Sequence, residues 1–112
     1  MPRPNDTIGN FELMILLAIM QVGDNAYGVP IAQEIEKHRG KPVSIGAIYA
    51  ALERLESKDF VTSEMGEALP ERGGRAKRYF RITKKGISEV QDTRRALIGL
   101  WSRLPQLLEK RS

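Results

Sequence analysis

A chain of 112 residues is long enough for one hydrophobic core and too short for two independent ones. The sequence has no cysteine and a single histidine, His38, which excludes disulfides, a thiolate or histidine-based metal site and a cysteine nucleophile. The net charge of +4 mildly indicates an anionic partner. Together, these features lead us to expect a cytoplasmic, non-enzymatic binding protein without a metal or other cofactor.

The first predicted helix runs from its N-cap Asn10 to Val22 and is apolar on every side. Its longest apolar run, Leu13 to Met20, has eight residues and is far shorter than the roughly 20 residues of a membrane-spanning helix. Because a small domain covers only one face of such a helix with its own core, the other face is predicted to contact a second subunit. The residues of this helix assigned to a dimer interface are Phe11, Ile15 and Ile19.

Two more helices are predicted, from Tyr27 to His38 with Pro30 in the first turn, and from the N-cap Ser44 to about Lys58. The third helix has an apolar stripe that is assigned to the core, namely Ile45, Ile48, Leu52 and Leu55. Its other face is predicted to be exposed and made of small residues, namely Gly46, Ala47, Ala50 and Ala51. Small residues permit close approach to DNA, but alanines also simply favour a helix, so this face alone leaves both interpretations open.

Two short strands, Phe60–Glu64 and Lys77–Ile82, are predicted to form a hairpin with a long polar tip. The stretch from Glu67 to Lys85 contains seven basic and two acidic residues, so that it carries more positive charge than the chain as a whole. A cationic loop that contains glycines is typical of one that follows the DNA backbone, the alternative being a solvated charged loop.

The last predicted helix begins at the N-cap Thr83 and extends to Leu104 or beyond, with Pro105 ending or kinking it. Apolar residues recur three and four positions apart along one face, which Arg94 interrupts. The residues of this face assigned to a dimer interface are Val90, Leu97, Trp101, Leu104 and Leu108. Trp101 and Leu97 are also a candidate platform for a small planar hydrophobic effector, although a plain interface anchor is the simpler interpretation of the tryptophan.

Three helices followed by a hairpin is the order of a winged helix-turn-helix. We therefore predict a mainly α fold with a DNA-binding domain over residues 1–82 and a C-terminal dimerisation helix over residues 83–112. Double-stranded DNA is the expected partner, and the residues predicted to contact it are Ser44, Gly46, Ala47, Tyr49, Ala50, Arg72, Arg75, Lys77 and Arg78. The alternative is a winged helix that serves only as a protein-interaction module, which requires the same core but no cationic tip.

Several motifs in fixed order between about Gly9 and Gly86 resemble the PadR family of bacterial transcriptional regulators. They are Phe11-Glu12-Leu13 with Leu16-Leu17-Ala18, Ala26-Tyr27-Gly28, Ser44-Ile45-Gly46-Ala47-Ile48-Tyr49 with Leu52 and Leu55, and Glu71-Arg72-Gly73-Gly74-Arg75-Ala76-Lys77-Arg78-Tyr79 with Ile82-Thr83 and Gly86. The resemblance implies a homodimer in which the last helix packs against the partner's first and last helices, and repression through operator binding. Some short members resemble multidrug sensors with a pore lined by one tryptophan from each subunit. Trp101 lies on the corresponding helix, whereas Arg94 and Pro105 depart from an uninterrupted interface helix.

Overall fold

The computed structural model of the chain describes residues 7–66 and 76–111. The described elements in chain order are α1 (Asn10–Val22), a 3-10 turn (Gly23–Asn25), α2 (Gly28–Arg39), α3 (Ile45–Ser57), β1 (Val61–Met65), β2 (Arg78–Ile82), α4 (Lys84–Trp101) and α5 (Leu104–Arg111). The two strands pair in antiparallel register, with Val61 opposite Ile82 and Met65 opposite Arg78. This order confirms the predicted mainly α winged helix-turn-helix with a C-terminal helical segment.

A buried carboxylate fixes the start of α1, and it corrects the predicted N-cap Asn10. The N-cap is Gly9, whose N–H donates to Glu12 Oε1 at 2.9 Å. Glu12 is 6 % exposed and lies 3.2 Å from Lys58 Nζ and 3.7 Å from Arg54 Nε. A buried charge is stabilised only when it is paired, and Lys58 and Arg54 provide this pairing. The same contacts join the start of α1 to the end of α3.

The caps predicted for the third and fourth helices are confirmed. Ser44 Oγ accepts a hydrogen bond from the N–H of Ala47 at 3.3 Å. Thr83 Oγ1 accepts one from the N–H of Gly86 at 3.0 Å and donates one to the carbonyl of Asp59 at 2.7 Å. Each hydroxyl therefore satisfies a backbone donor in the first turn of its helix.

The core contains side chains from α1, α2, α3, the hairpin and α4, and it corrects two assignments on α3. Ile45 is 45 % exposed, because it is the first residue of the helix and helical side chains tilt toward the N-terminus. Ala51 is fully buried, because it lies on the same face as Ile48 and Leu55. The largest fully buried side chains are Phe60, Phe80, Ile15, Leu16, Ile31, Ile48, Leu52, Leu55 and Val61.

Three of the residues assigned to a dimer interface belong instead to this core. Ile15, Ile19 and Val90 are 0, 3 and 7 % exposed within the single chain, because α1 and α4 turn these side chains toward the other helices. They offer almost no surface to a second subunit. The apolar side chains that α1 leaves exposed are those of Leu17 and Met20, while Phe11 is half-buried against the core.

The C-terminal helical segment is broken after Trp101, as Pro105 predicts. Residues 102 and 103 form a turn between α4 and α5. A proline ring clashes with the carbonyl of the residue four positions earlier, which here is Trp101, so the helix ends at that residue. None of the helices in the described ranges has the length and apolar character needed to cross a membrane.

Two glycines of α4 provide a paired test of the packing. A Cβ on Gly86 would lie 2.3 Å from the carbonyl oxygen of Phe60, whereas a Cβ on Gly99 would have no neighbour within 4 Å. We expect Gly86→Ala to destabilise the protein by about 2 kcal/mol through this overlap. Gly99→Ala should stabilise it by about 0.5–1 kcal/mol, because alanine loses less conformational entropy in a helix. Urea unfolding at one protein concentration measures both changes, and a shift of the same sign in the two variants would contradict the packing described for Gly86.

Candidate nucleic-acid interface

The N-terminal half of α3 presents an exposed face of small residues. Gly46, Ala47 and Ala50 on this face are all exposed, as predicted. Ser44 is exposed at the same end of the helix, where its oxygen caps the N–H of Ala47 and its hydroxyl hydrogen is left to serve as a donor. A helix with such a face can approach another molecule closely, with its first backbone N–H groups directed at the partner.

Tyr49 connects this face to the start of α2. A Cβ on Gly28 would lie 2.6 Å from both Cζ and the hydroxyl oxygen of Tyr49, so the ring occupies the space that the glycine leaves open. Tyr49 is nevertheless 37 % exposed. The ring is therefore held in place while part of its surface remains accessible.

Two further tyrosines extend this contact to the hairpin. The rings of Tyr27 and Tyr79 meet edge to face with centroids 5.7 Å apart, and Lys77 Nζ lies 5.0 Å from the centroid of Tyr27. We call Tyr27, Tyr49 and Tyr79 the tyrosine bridge, because Tyr27 and Gly28 are neighbours at the start of α2 and link α3 to β2. Lys77, one of the predicted DNA contacts, therefore lies against Tyr27, the residue that precedes the glycine on which Tyr49 packs.

The sequence reasoning missed Tyr27 and Tyr79 as site residues. Their proximity depends on a long-range hydrogen bond, in which the N–H of Phe80 donates to the carbonyl of Ala26 at 2.8 Å. The motif Ala26-Tyr27-Gly28 was the available signal, because a glycine beside an aromatic residue marks a place where another group approaches closely.

Arg78 is the clearest departure from the predicted site. Its Nη1 lies 2.6 Å from Glu53 Oε1, its Nη2 hydrogen-bonds to Glu56, and its Nε donates to Ser63 Oγ at 3.1 Å. The hydrogen bond to Glu53 and the charges of both carboxylates raise the pKa of the Arg78 guanidinium, against a smaller lowering by burial. Strand alternation explains this placement, since Arg78 shares a face of β2 with the buried Phe80, toward α3. The guanidinium that was predicted to contact DNA is therefore held by partners within the chain.

The two arginines predicted at the hairpin tip, Arg72 and Arg75, lie outside the described residues. The part of the hairpin that the structure describes ends where the N–H of Gly66 donates to the carbonyl of Lys77 at 2.7 Å. Lys37, Arg39 and Lys41, which precede α3, are exposed. His38 is exposed as well and lies 2.9 Å from Glu34 Oε2.

A second surface consists of apolar side chains on α4 and α5. Leu97 is 42 % exposed and Trp101 is 68 % exposed, so both residues of the predicted effector platform are accessible in the single chain. The exposed apolar side chains of this surface are Leu97, Ile98, Leu100, Trp101, Leu104, Leu107 and Leu108. They include four of the residues predicted at the dimer interface. Exposed apolar patches of this kind mark sites of protein association or ligand binding.

Comparison with known proteins identifies the family. The model of the transcriptional regulator PadR-like family matches residues 16–92. The transcriptional regulator Rv3488 of Mycobacterium tuberculosis is 35% identical over 74 residues, which span 66% of this chain and 64% of that protein. A PadR family transcription regulator from Clostridium difficile superposes with a TM-score of 0.74 at 24% identity, covering 89% of this chain and 99% of the other. A PadR family transcriptional regulator from Eggerthella lenta has a TM-score of 0.70 at 25% identity, with 86% and 81% covered. The family match spans more than half of the sequence, and the chain therefore belongs to the PadR-like family of transcriptional regulators.

Proposed function

We propose that the chain is a cytoplasmic repressor that binds a palindromic DNA operator as a homodimer, with residues 1–82 binding DNA and residues 83–112 forming the dimer. The observation that carries the proposal is the tyrosine bridge. It connects Tyr49 on α3, through Gly28 and Tyr27, to Lys77 on the hairpin, which supports a recognition helix and a cation acting together on one partner.

In this proposal α3 enters the major groove, while the hairpin follows the backbone. Gly46, Ala47 and Ala50 let the helix approach the base edges, and the hydroxyls of Ser44 and Tyr49 donate to phosphates. Because this face has few long polar side chains, direct base contacts are sparse and DNA shape contributes to the choice of site.

Dimerisation follows from the apolar surface of α4 and α5. The side chains of Leu97, Trp101, Leu104 and Leu108 are exposed on these two helices, and a second copy of the chain is the partner that covers them. A two-fold dimer presents two copies of α3 to successive major grooves roughly 34 Å apart, which requires two half-sites in inverted repeat.

The proposed effector binds at the apolar surface of α4 and α5. Trp101 and Leu97 lie one helical turn apart on α4, where a planar hydrophobic molecule stacks on the indole between two subunits. Its binding would change the spacing of the two copies of α3 and release the operator.

Selection of bound sequences from a pool of random duplexes, followed by a footprint on the selected duplex, tests the proposal. A regulator enriches an inverted repeat, and its affinity falls steeply as the salt concentration rises, because phosphate contacts release counterions. A protein-interaction module enriches no sequence and shows no salt dependence, and that result would remove DNA from the function.

The double substitution Arg72→Ala and Arg75→Ala is expected to weaken binding to the selected duplex at least about tenfold. It should also reduce the slope of log affinity against log salt by about 0.9 for each phosphate that the variant no longer neutralises. Sedimentation should show an unchanged dimer. Arg95→Ala, which removes an exposed guanidinium from α4, is the matched control and should leave the affinity within about twofold. Unchanged affinity of the double variant would remove the hairpin tip from the mechanism.

A further inference from the structure

A guanidinium joins the last paired position of the hairpin before its tip to α3. Arg78 on β2 binds Glu53 and Glu56, which lie three residues apart on one face of α3, and also Ser63 on β1. Ser63 Oγ in turn donates to Glu56 Oε2 at 2.7 Å. We call Arg78, Glu53, Glu56 and Ser63 the carboxylate clamp. Every nitrogen of the guanidinium has a partner within it.

The clamp adds no positive charge to the surface around α3. Two carboxylates surround one guanidinium, so the group has a net charge of about −1 when all three are ionised. The three hydrogen bonds use three of the five N–H donors of Arg78, and a phosphate approaching the other two would be repelled by the two neighbouring carboxylates. The geometry thus favours a fixed mechanical role over a contact with DNA.

The clamp attaches one particular end of the hairpin to α3. Arg78 and Met65 form the last paired positions of the hairpin before its tip. At the other end the hairpin is attached to α3 by the hydrogen bond from the N–H of Phe60 to the carbonyl of Leu55 at 2.9 Å. Since a planar guanidinium that binds two carboxylates restricts the orientation of its strand, the clamp fixes this last pair of the hairpin relative to α3.

We propose that Arg78, Glu53 and Glu56 are positioning residues for DNA binding, which fix the hairpin relative to α3 without touching the nucleic acid. The proposal rests on the DNA-binding function proposed above. It makes a prediction opposite in sign to simple electrostatics. Neutralising two carboxylates near a polyanion ordinarily strengthens binding, whereas here it should weaken it.

The test uses the full chain, the selected duplex and an unrelated duplex of equal length. Glu53→Gln/Glu56→Gln should raise the Kd for the selected duplex about tenfold, in line with the loss of charge-assisted hydrogen bonds, and change that for the unrelated duplex less than about twofold. Arg78→Gln should weaken specific binding similarly and leave the salt slope unchanged. Glu64→Gln, which removes an exposed carboxylate of the same hairpin outside the clamp, is the control and should not weaken binding.

Two results would overturn the proposal. One is tighter binding of the double glutamine variant to both duplexes. The other is a fall in the slope of log affinity against log salt for Arg78→Gln, by about 0.9 for each copy of Arg78 in the bound protein. Such a fall identifies a phosphate contact, which Arg78→Lys would retain. Thermal unfolding checks each variant, and if Arg78→Gln does not fold, Glu53→Gln carries the test, because Glu53 is 62% exposed. If the unsubstituted protein binds no duplex, both the proposed function and the proposed role of the clamp are wrong. If it binds and the clamp variants bind equally well, only the proposed role of the clamp is wrong.

Discussion

Ala47→Glu is expected to abolish specific DNA binding while making the folded chain more stable. Ala47 is the third residue of α3, and its N–H donates to the N-cap Ser44. A glutamate at this position completes a capping box and places a negative charge at the positive end of the helix, which stabilises the fold by about 0.5–1 kcal/mol. The same carboxylate projects from the small-residue face. Against DNA it fills the space needed for close approach and repels phosphate, so we expect a loss of at least about 100-fold in affinity.

Stability and DNA affinity are both measured on this one variant. Urea unfolding should show higher stability, and titration with the selected duplex should show the weakened binding. Ser88→Glu places the same charge on an exposed position of α4 and is the matched control, with affinity expected within about threefold of the unsubstituted protein. Retention of DNA binding by Ala47→Glu would mean that α3 does not enter the groove.

Local chemistry accounts for most of what the sequence predicted correctly about the fold. Ser44 and Thr83 each cap a helix through a bond to the residue three positions later, and Pro105 ends α4 through a clash four positions back. These interactions involve only neighbours in sequence. The N-cap of α1 was misassigned although its hydrogen bond, from the N–H of Gly9 to Glu12, is also local, whereas the pairing of this buried carboxylate requires Lys58, which is 46 residues away.

The same distinction separates the predicted from the unpredicted parts of the site. The exposure of Gly46, Ala47 and Ala50 follows from the apolar period of α3. The partners of Arg78 do not, because Glu53 is 25 residues away and reaches it only once the hairpin has folded onto the helix. Strand alternation explains why Arg78 lies on the same face as Phe80, but the sequence could not show that the carboxylates of α3 lie opposite it.

Counting charges along the chain therefore overstates the cations available for DNA. Arg78 binds two carboxylates of α3, and Lys85 Nζ donates to the carbonyl of Lys58 at 2.9 Å. Both lie in the basic stretch identified in the sequence. Lys77 remains beside Tyr27 at the edge of the tyrosine bridge. The proposed interface consequently depends on a few well-placed cations and on the shape of α3, and less on the total charge.

Trp101→Lys is expected to convert the proposed dimer into monomers at micromolar concentration. The indole is 68 % exposed in the single chain, in the middle of the apolar surface of α4 and α5. Buried tryptophans at interfaces typically contribute about 2 kcal/mol or more each. Two of them in a symmetric dimer amount to about 4 kcal/mol, or a rise in the dimer dissociation constant of about 1,000-fold. Lysine keeps the helix and suits its C-terminal end, so the loss is not caused by unfolding of α4.

Sedimentation equilibrium over a range of concentrations measures this change directly. Ser88→Lys adds the same charge about 140° around the helix and should sediment as the unsubstituted protein does. The monomeric variant should still bind a single half-site weakly, because α3, the tyrosine bridge and the carboxylate clamp lie in each chain. Its occupancy of the full inverted repeat should be low at micromolar concentration and rise as the protein concentration approaches the new dimer dissociation constant, since only the dimer engages both half-sites at once. A Trp101→Lys variant that sediments as a dimer with the original affinity would show that this surface is covered by something other than a second copy of the chain.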